Sequence, residues 1–127
     1  MGSTHPLEHA ETFALIAVGG FLGSNLRFLI GQFSPGLGGT LVVNALGSAV
    51  LGFLAYEALK TDLLSASSRM VLSTGVLSSF TTYSTFAMET VQAAPVLGLA
   101  NLFASYLLGF TGVLVGRHLA HSMEGSK

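Results

Sequence analysis

The third apolar stretch of the sequence carries a high density of hydroxyl groups. From Ser73 to Thr85 it reads STGVLSSFTTYST, in which eight of thirteen residues are Ser or Thr. Because these side chains compete for the hydrogen bonds of a helical backbone, the run predicts a local break in a helix. A break would free carbonyl groups to bind a cation, and amides or hydroxyls to bind an anion. The alternative is a continuous helix whose hydroxyls bond to the carbonyls four residues earlier.

The polar groups around this run suit a small anion better than a proton or a cation. Glu57 and Glu89 lie near the ends of apolar stretches, which leaves no carboxylate at depth for a proton relay. The amide of Asn44 and the hydroxyls are donors, and Tyr83 and Phe86 can present the positive edges of their rings. We therefore expect these groups to solvate an anion that has lost its water.

The composition shows what kind of element must position these residues. Charged residues make up 9% of the chain and hydrophobic residues 50%, with a mean hydropathy of +0.68. A typical soluble domain has about 25% charged residues, so this chain cannot cover itself with charge. The net charge of −1 leaves no basic surface for nucleic acid, and the absence of cysteine excludes disulfides and thiolate metal sites. The sequence predicts a small all-α membrane protein embedded in a lipid bilayer.

Four stretches approach the roughly 20 apolar residues that a spanning helix needs. They are separated by a Pro- and Gly-rich turn at 34–39, a charged loop at 57–69, and Pro95. We expect one four-span domain over residues 1–127, with a polar leader at 1–11. The predicted spans are about 13–33, 40–56, 70–91 and 96–117.

The other spans also carry groups that lipid does not favour. Thr40, Asn44 and Ser48 are spaced four residues apart and share one helix face. Glycine pairs four residues apart in spans one and four are typical of close helix packing. An amide or a guanidinium inside a span more often serves a function, which singles out Asn44 and Arg27.

The basic residues are distributed unevenly between the two sides of the membrane. Lys60, Arg69, Arg117 and Lys127 fall on the side of the termini, and only Arg27 falls near the other side. This bias favours a fixed orientation with both termini in the cytoplasm.

Three ordered motifs resemble those of the CrcB/Fluc fluoride channel family, across essentially the whole four-span chain. The first-span segment GGFLGSNLRF at 19–28 is similar to the family pattern G-G-x-x-G-x-x-x-R-aromatic. The segment GTLVVNALG at 39–47 resembles G-T-L-x-V-N-x-x-G. The most specific is TGVLSSFTTYSTF at 74–86, which resembles T-G-x-x-G-G-x-T-T-F-S-T-F.

This resemblance implies a passive, fluoride-selective channel in the cell membrane that exports cytoplasmic fluoride. It also implies an antiparallel, dual-topology dimer with two pores and a structural sodium ion at its centre. Arg27 would lie at the pore mouth, and the backbone carbonyls of Ser78 and Thr81 would hold the sodium. The expected fluoride pathway comprises Asn44, Tyr83, Phe86, Ser84, Thr85, Thr40 and Tyr106.

The chain departs from the family pattern at several positions. Ser78 and Ser79 replace the two glycines of the break, and Phe80 replaces a smaller apolar residue. Tyr83 replaces the first phenylalanine and adds a hydroxyl to the path. Phe110 stands where we align a serine of the fourth span.

Other functions remain open at this point. A chain of fixed orientation would pair with an oppositely oriented homologue, as a half-active or non-conducting subunit of a heterodimeric channel, rather than with its own copy. A small multidrug-type transporter would need a glutamate within the first span, where this chain has Arg27. We expect no enzyme, because no metalloprotease, phosphate-loop or serine-hydrolase motif is present.

Overall fold

The computed structural model describes residues 5–125, and this part of the chain forms helices and no strand. Residues 1–4 of the predicted leader, and Lys127 of the orientation argument, lie outside the described residues. The elements are, in order, α1 (Pro6–Phe33), α2 (Leu37–Tyr56), π1 (Glu57–Thr61), α3 (Ala66–Met70), π2 (Val71–Leu77), α4 (Ser78–Phe80), α5 (Ser84–Gln92) and α6 (Pro95–Glu124).

Three continuous helical segments are long and apolar enough to cross a membrane: Pro6–Phe33, Leu37–Thr61 and Pro95–Glu124. The first begins within the predicted leader, because Pro6 suits a first helical turn and the ring of His5 accepts a hydrogen bond from the N–H of Leu7 at 3.3 Å. The stretch from 66 to 92 is not among the three, since it is divided into short pieces. The chain is an all-helical, multi-pass membrane protein.

The long helices pack through their glycines. Helices α2 and α6 form the most extensive contact, and a Cβ added at Gly112 would lie 2.8 Å from the carbonyl oxygen of Ala45. Helix α1 packs mainly on π2, where a Cβ at Gly19 would lie 2.8 Å from the Cα of Gly75. The interpretation of these glycines as packing positions is confirmed.

The outer surface of the bundle is apolar. Large side chains such as Phe13, Phe21, Phe103 and Leu107 are exposed along α1 and α6. Only 11% of the most apolar window of each of these helices is buried within the chain. Apolar surfaces of this size are stable against lipid tails, so the exposed faces of α1 and α6 are expected to contact the bilayer.

An ion pair holds the charged loop between α2 and α3 together. Our expectation that this loop is fully solvated is therefore wrong at Glu57. Glu57 is completely buried, and its carboxylate accepts hydrogen bonds from Nε of Arg69 at 2.8 Å and from the N–H of Leu64 at 2.6 Å. Asp62, with a left-handed φ of 47°, also pairs with Arg69. Because a buried carboxylate needs a partner, this clasp fixes the point from which the interrupted helix starts.

Candidate functional site

The predicted break in the third span is confirmed at Thr81–Tyr83. Helix α4 ends at Phe80, Thr81 has the extended torsions φ −78° and ψ 158°, and α5 begins at Ser84. The preceding turns of π2 are also irregular, which is typical of functional segments in helices. The break therefore lies in the middle of the hydroxyl-rich run.

Asn44 of α2 closes the break from the side. Its Oδ1 accepts a hydrogen bond from the N–H of Thr82 at 2.8 Å, and its Nδ2 donates to the carbonyl of Thr82 at 2.8 Å. Gly47, one turn further along α2, leaves room for the break, because a Cβ there would collide with the methyl group of Thr81. Asn44 thus supplies two bonds that an extended peptide inside a membrane would otherwise lack.

The carbonyl groups of Ser78 and Thr81 are among those that the break leaves without their helical donors. The N–H of Thr82 bonds to Asn44 instead of the carbonyl of Ser78. The N–H of Thr85 bonds to the hydroxyl of Thr82 at 3.2 Å instead of the carbonyl of Thr81. Ser78 and Thr81 are the residues to which the family resemblance assigns the sodium ion. Carbonyl oxygens are the ligands that a hard cation prefers, so the backbone of Ser78 and Thr81 fits a sodium ion.

Several hydroxyls of the run bond to their own helix, so the alternative of back-bonding also holds in part. Thr81 donates to the carbonyl of Leu77 at 2.8 Å, and Ser79 donates to the carbonyl of Gly75 at 2.8 Å. Ser78 donates to the carbonyl of Thr74. These bonds occupy the hydroxyl protons of both serines that replace the family's glycines. The break begins where such bonds end.

A cavity of about 490 Å³, here called the hydroxyl cavity, opens on one side of the break. Six of the sequence-predicted residues line it together: Asn44, Ser78, Thr81, Tyr83, Phe86 and Tyr106. It is also lined by Ser48, Ser73, Thr82, Ser105, Gly47, Leu51 and Leu77.

A second cavity of about 550 Å³, here called the arginine cavity, lies on the other side of the break. It brings together three further predicted residues, Arg27, Thr40 and Thr85. Thr82 lines both cavities, so the peptide held by Asn44 separates them. Ser84 lines neither of these cavities and is exposed.

The aromatic rings of the site are tilted toward each other rather than stacked. The ring centroids of Tyr83 and Phe86 are 5.9 Å apart with an interplanar angle of 49°. On α6, Tyr106 and Phe110 form a more parallel pair at 6.5 Å and 29°. A tilted pair can turn positive ring edges toward the cavity, as the anion hypothesis requires.

Sequence reasoning missed three residues that the structure places at the site. Thr82 forms the wall between the cavities, and its only sequence signal was membership of the hydroxyl run. Ser105 lines the hydroxyl cavity with a buried oxygen that has no partner in residues 5–125, and no motif in the sequence marked it. Glu89 lines the arginine cavity with a buried Oε2 that likewise has no partner in the described part of the chain, although its position in sequence suggested the end of a span.

A family profile described as "CrcB-like protein, Camphor Resistance (CrcB)" matches residues 14–117. The chain belongs to the CrcB family. The break and both cavities of this CrcB chain lie within the matched residues, so the family sequence pattern covers the whole candidate site.

Named relatives match this CrcB chain over nearly its full length. Fluoride-specific ion channel FluC 1 of Haloarcula marismortui is 53% identical over 125 residues, covering 98% of each chain. Fluoride-specific ion channel FluC 2 of Halobacterium salinarum is 51% identical over 119 residues, covering 93% of each. Fluoride-specific ion channel FluC 1 of Methanospirillum hungatei is 41% identical over 106 residues, covering 84% of this chain and 76% of the relative.

Proposed function

We propose that this chain is a fluoride-selective ion channel of the plasma membrane that lets cytoplasmic fluoride leave passively. The observation that carries the proposal is the Asn44-braced break within the third apolar stretch, which borders two cavities that hydroxyl and amide groups help to line. The names of relatives that are 53% and 51% identical support fluoride as the ion.

The donors available to an anion can be derived from the hydrogen bonds already formed. The hydroxyl protons of Thr81 and Ser48 are used on the carbonyls of Leu77 and Asn44, so these two groups are not free donors. Asn44 carries two amide hydrogens, of which one is used on Thr82. Among the sequence-predicted residues and those of the hydroxyl cavity, the following groups have protons without a partner within residues 5–125: the second N–H of Asn44 and the hydroxyls of Thr82, Tyr83, Ser105, Tyr106, Ser84, Thr85 and Thr40.

Fluoride would then pass between the cavities along these donors. Arg27 offers a positive charge to anions in the arginine cavity, where the carboxyl group of Glu89 opposes it. At the break, the free N–H of Asn44 and the hydroxyl of Thr82 replace the water that the ion loses. In the hydroxyl cavity, Ser105 and the ring edges of Tyr83 and Phe86 continue the path.

We also propose that the carbonyls of Ser78 and Thr81 hold a structural sodium ion. Bound there, the ion would supply fixed positive charge to carbonyl groups that the break leaves without N–H donors. Ser78 and Thr81 would contribute their backbone oxygens, while their hydroxyls remain on their own helix.

The proposed active form is a dimer with an oppositely oriented copy or homologue, with both termini of this chain in the cytoplasm. Thr74 and Ser78 are exposed on the single chain beside the break, and polar groups at this depth need protein or water against them. The excess of basic residues on the side of the termini favours an oppositely oriented homologue as partner. Relatives with the names FluC 1 and FluC 2 are compatible with such a pair.

Ion release from proteoliposomes tests the function. The purified chain, alone and together with an oppositely oriented homologue, is placed in vesicles loaded with fluoride and chloride, and both ions are followed by electrodes. We expect fast fluoride release with little chloride from at least one preparation. Release by the chain alone would assign a homodimer, and release only from the mixture would assign the heterodimer. Chloride release as fast as fluoride release, or no release from either preparation, would overturn the proposal.

A further inference from the structure

A polar cavity at the end of α6, outside the proposed ion path, has no role in the function proposed above. It has a volume of about 330 Å³ and lies between the end of α2 and the last turns of α6. Its lining is Tyr56, Leu114, Arg117, His118 and His121. The four lining residues of α6 follow the spacing i, i+3, i+4 and i+7, counted from Leu114, so they share one helix face.

The hydroxyl of Tyr56 joins His121 to Glu124 at one edge of this cavity. It lies 2.9 Å from Oε2 of Glu124, to which it donates, and 2.7 Å from Nδ1 of His121. Because Tyr56 has a single hydroxyl proton, the contact with His121 is made by Nδ1–H donating to the Tyr56 oxygen. His121 and Glu124 are therefore both engaged at the edge of the cavity.

The remaining basic groups of the cavity are unpaired. Within residues 5–125, Arg117 and His118 have no hydrogen-bonded or ion-paired partner, and both are exposed. Arg117 directly follows the apolar segment from Val113 to Gly116, at the position where a spanning helix enters the headgroup layer.

We propose that this cavity binds the phosphate group of an anionic phospholipid. The planar guanidinium of Arg117 presents a fork of donors that matches phosphate oxygens. His118 adds a donor beside it, and Leu114 offers an apolar base to the glycerol end of the lipid. Basic pockets at the ends of membrane helices bind lipid headgroups in this way. The site is separate from the ion path and does not depend on the proposed channel function.

Native mass spectrometry of the purified full chain in detergent tests the proposal with phosphatidylglycerol and phosphatidylcholine as probes. Arg117→Gln should weaken retention of phosphatidylglycerol about fivefold, the effect of roughly one cation near a membrane surface. Lys60→Gln removes the same charge from an exposed position outside the cavity and should change retention little. Equal losses in both variants, or equal retention of the two lipids by the unaltered chain, would overturn the proposal.

Two further arms separate the source of the phosphate and the role of His118. Displacement of phosphatidylglycerol by millimolar inorganic phosphate would support recognition of the phosphate group itself. Binding of inorganic phosphate without retention of the lipid would overturn the assignment to a headgroup. A His118→Ala variant should retain less phosphatidylglycerol than the unaltered chain at the same pH. Equal retention would contradict the role of this histidine.

Discussion

Helix α6 and the interrupted stretch from 66 to 92 are similar in length and both contain polar residues, yet only the second breaks. In α6 the polar side chains are dispersed among apolar residues and glycines, and the helix continues from Pro95 to Glu124. In the interrupted stretch eight of the thirteen residues from Ser73 to Thr85 are Ser or Thr, and the backbone is extended at Thr81. Beside the break, Asn44 of α2 takes over the hydrogen bonds of the Thr82 peptide. The comparison indicates that the density of hydroxyls, together with an outside partner, decides whether a membrane helix stays continuous.

The largest effect should come from disrupting the contact between the two continuous helices α2 and α6. A Cβ at Gly116 would collide with the carbonyl oxygen of Ala49, so Gly116→Ala should separate the helices at a cost of about 1–3 kcal/mol or more. Gly20→Ala is the matched control, because a Cβ there meets no atom within 4 Å. Size-exclusion profiles and melting temperatures of the solubilised proteins measure the difference. Equal behaviour of the two variants would contradict the close packing.

The next effect should come from removing the partner of the break. Asn44→Ala leaves the N–H and the carbonyl of Thr82 unpaired, and each lost bond costs about 1 kcal/mol or more. We expect fluoride release from proteoliposomes to fall by roughly tenfold or more. Asn25→Ala is the control, because the amide of Asn25 is exposed and bonds only to the carbonyl of Phe21 in its own helix. A similar rate in both variants would exclude Asn44 from the path.

A smaller effect is expected at the start of α5. Thr82→Val removes the hydroxyl that accepts from the N–H of Thr85, which should destabilise the first turn of α5 by about 1 kcal/mol. Amide hydrogen exchange at Thr85 should quicken accordingly. Thr111→Val on the exposed face of α6 provides the same change of side chain without a cap. No change at Thr85 would show that α5 does not need this bond.

The smallest effect should follow from loss of one ring of the tilted pair. Phe86→Leu removes the ring beside Tyr83, an interaction worth about 0.5–1.5 kcal/mol, so fluoride release should slow by several-fold. Phe103→Leu changes an exposed ring on α6 and should leave the rate unchanged. Should both variants slow equally, the ring edges of Phe86 are not part of the path.

Much of the fold could be predicted from the sequence because its signals are local. Low charge content identified a membrane protein, and the hydroxyl run at 73–85 contains the break, although the break lies at Thr81–Tyr83 rather than at the serines that replace the family's glycines. The start of α1 at Pro6 was missed, since a polar leader can extend a helix beyond the membrane. The buried Glu57 was also missed, because its partner Arg69 lies twelve residues away and only the folded loop brings them together.

The candidate site was predicted less completely than the fold. Grouping Asn44 with Tyr83 and Phe86 followed from their chemistry, whereas the role of Thr81 rested on the family resemblance, and the structure places all four in the lining of one cavity. No sequence pattern indicated that Asn44 pairs with the backbone of Thr82, because such a bond depends on the packing of α2 against the break. Which hydroxyl protons remain free is equally a property of the folded chain. The sodium ion and the dimer stay predictions.

The most direct test of the account is to follow backbone amide resonances while fluoride is added to the isotope-labelled protein in lipid. The account predicts that fluoride shifts the amides of residues 81–85, that chloride at the same concentration does not, and that the amides of 110–116 in α6 stay unchanged with either ion. Fluoride shifts spread evenly over both regions, or absent from 81–85, would contradict the claim that the interrupted helix solvates the ion.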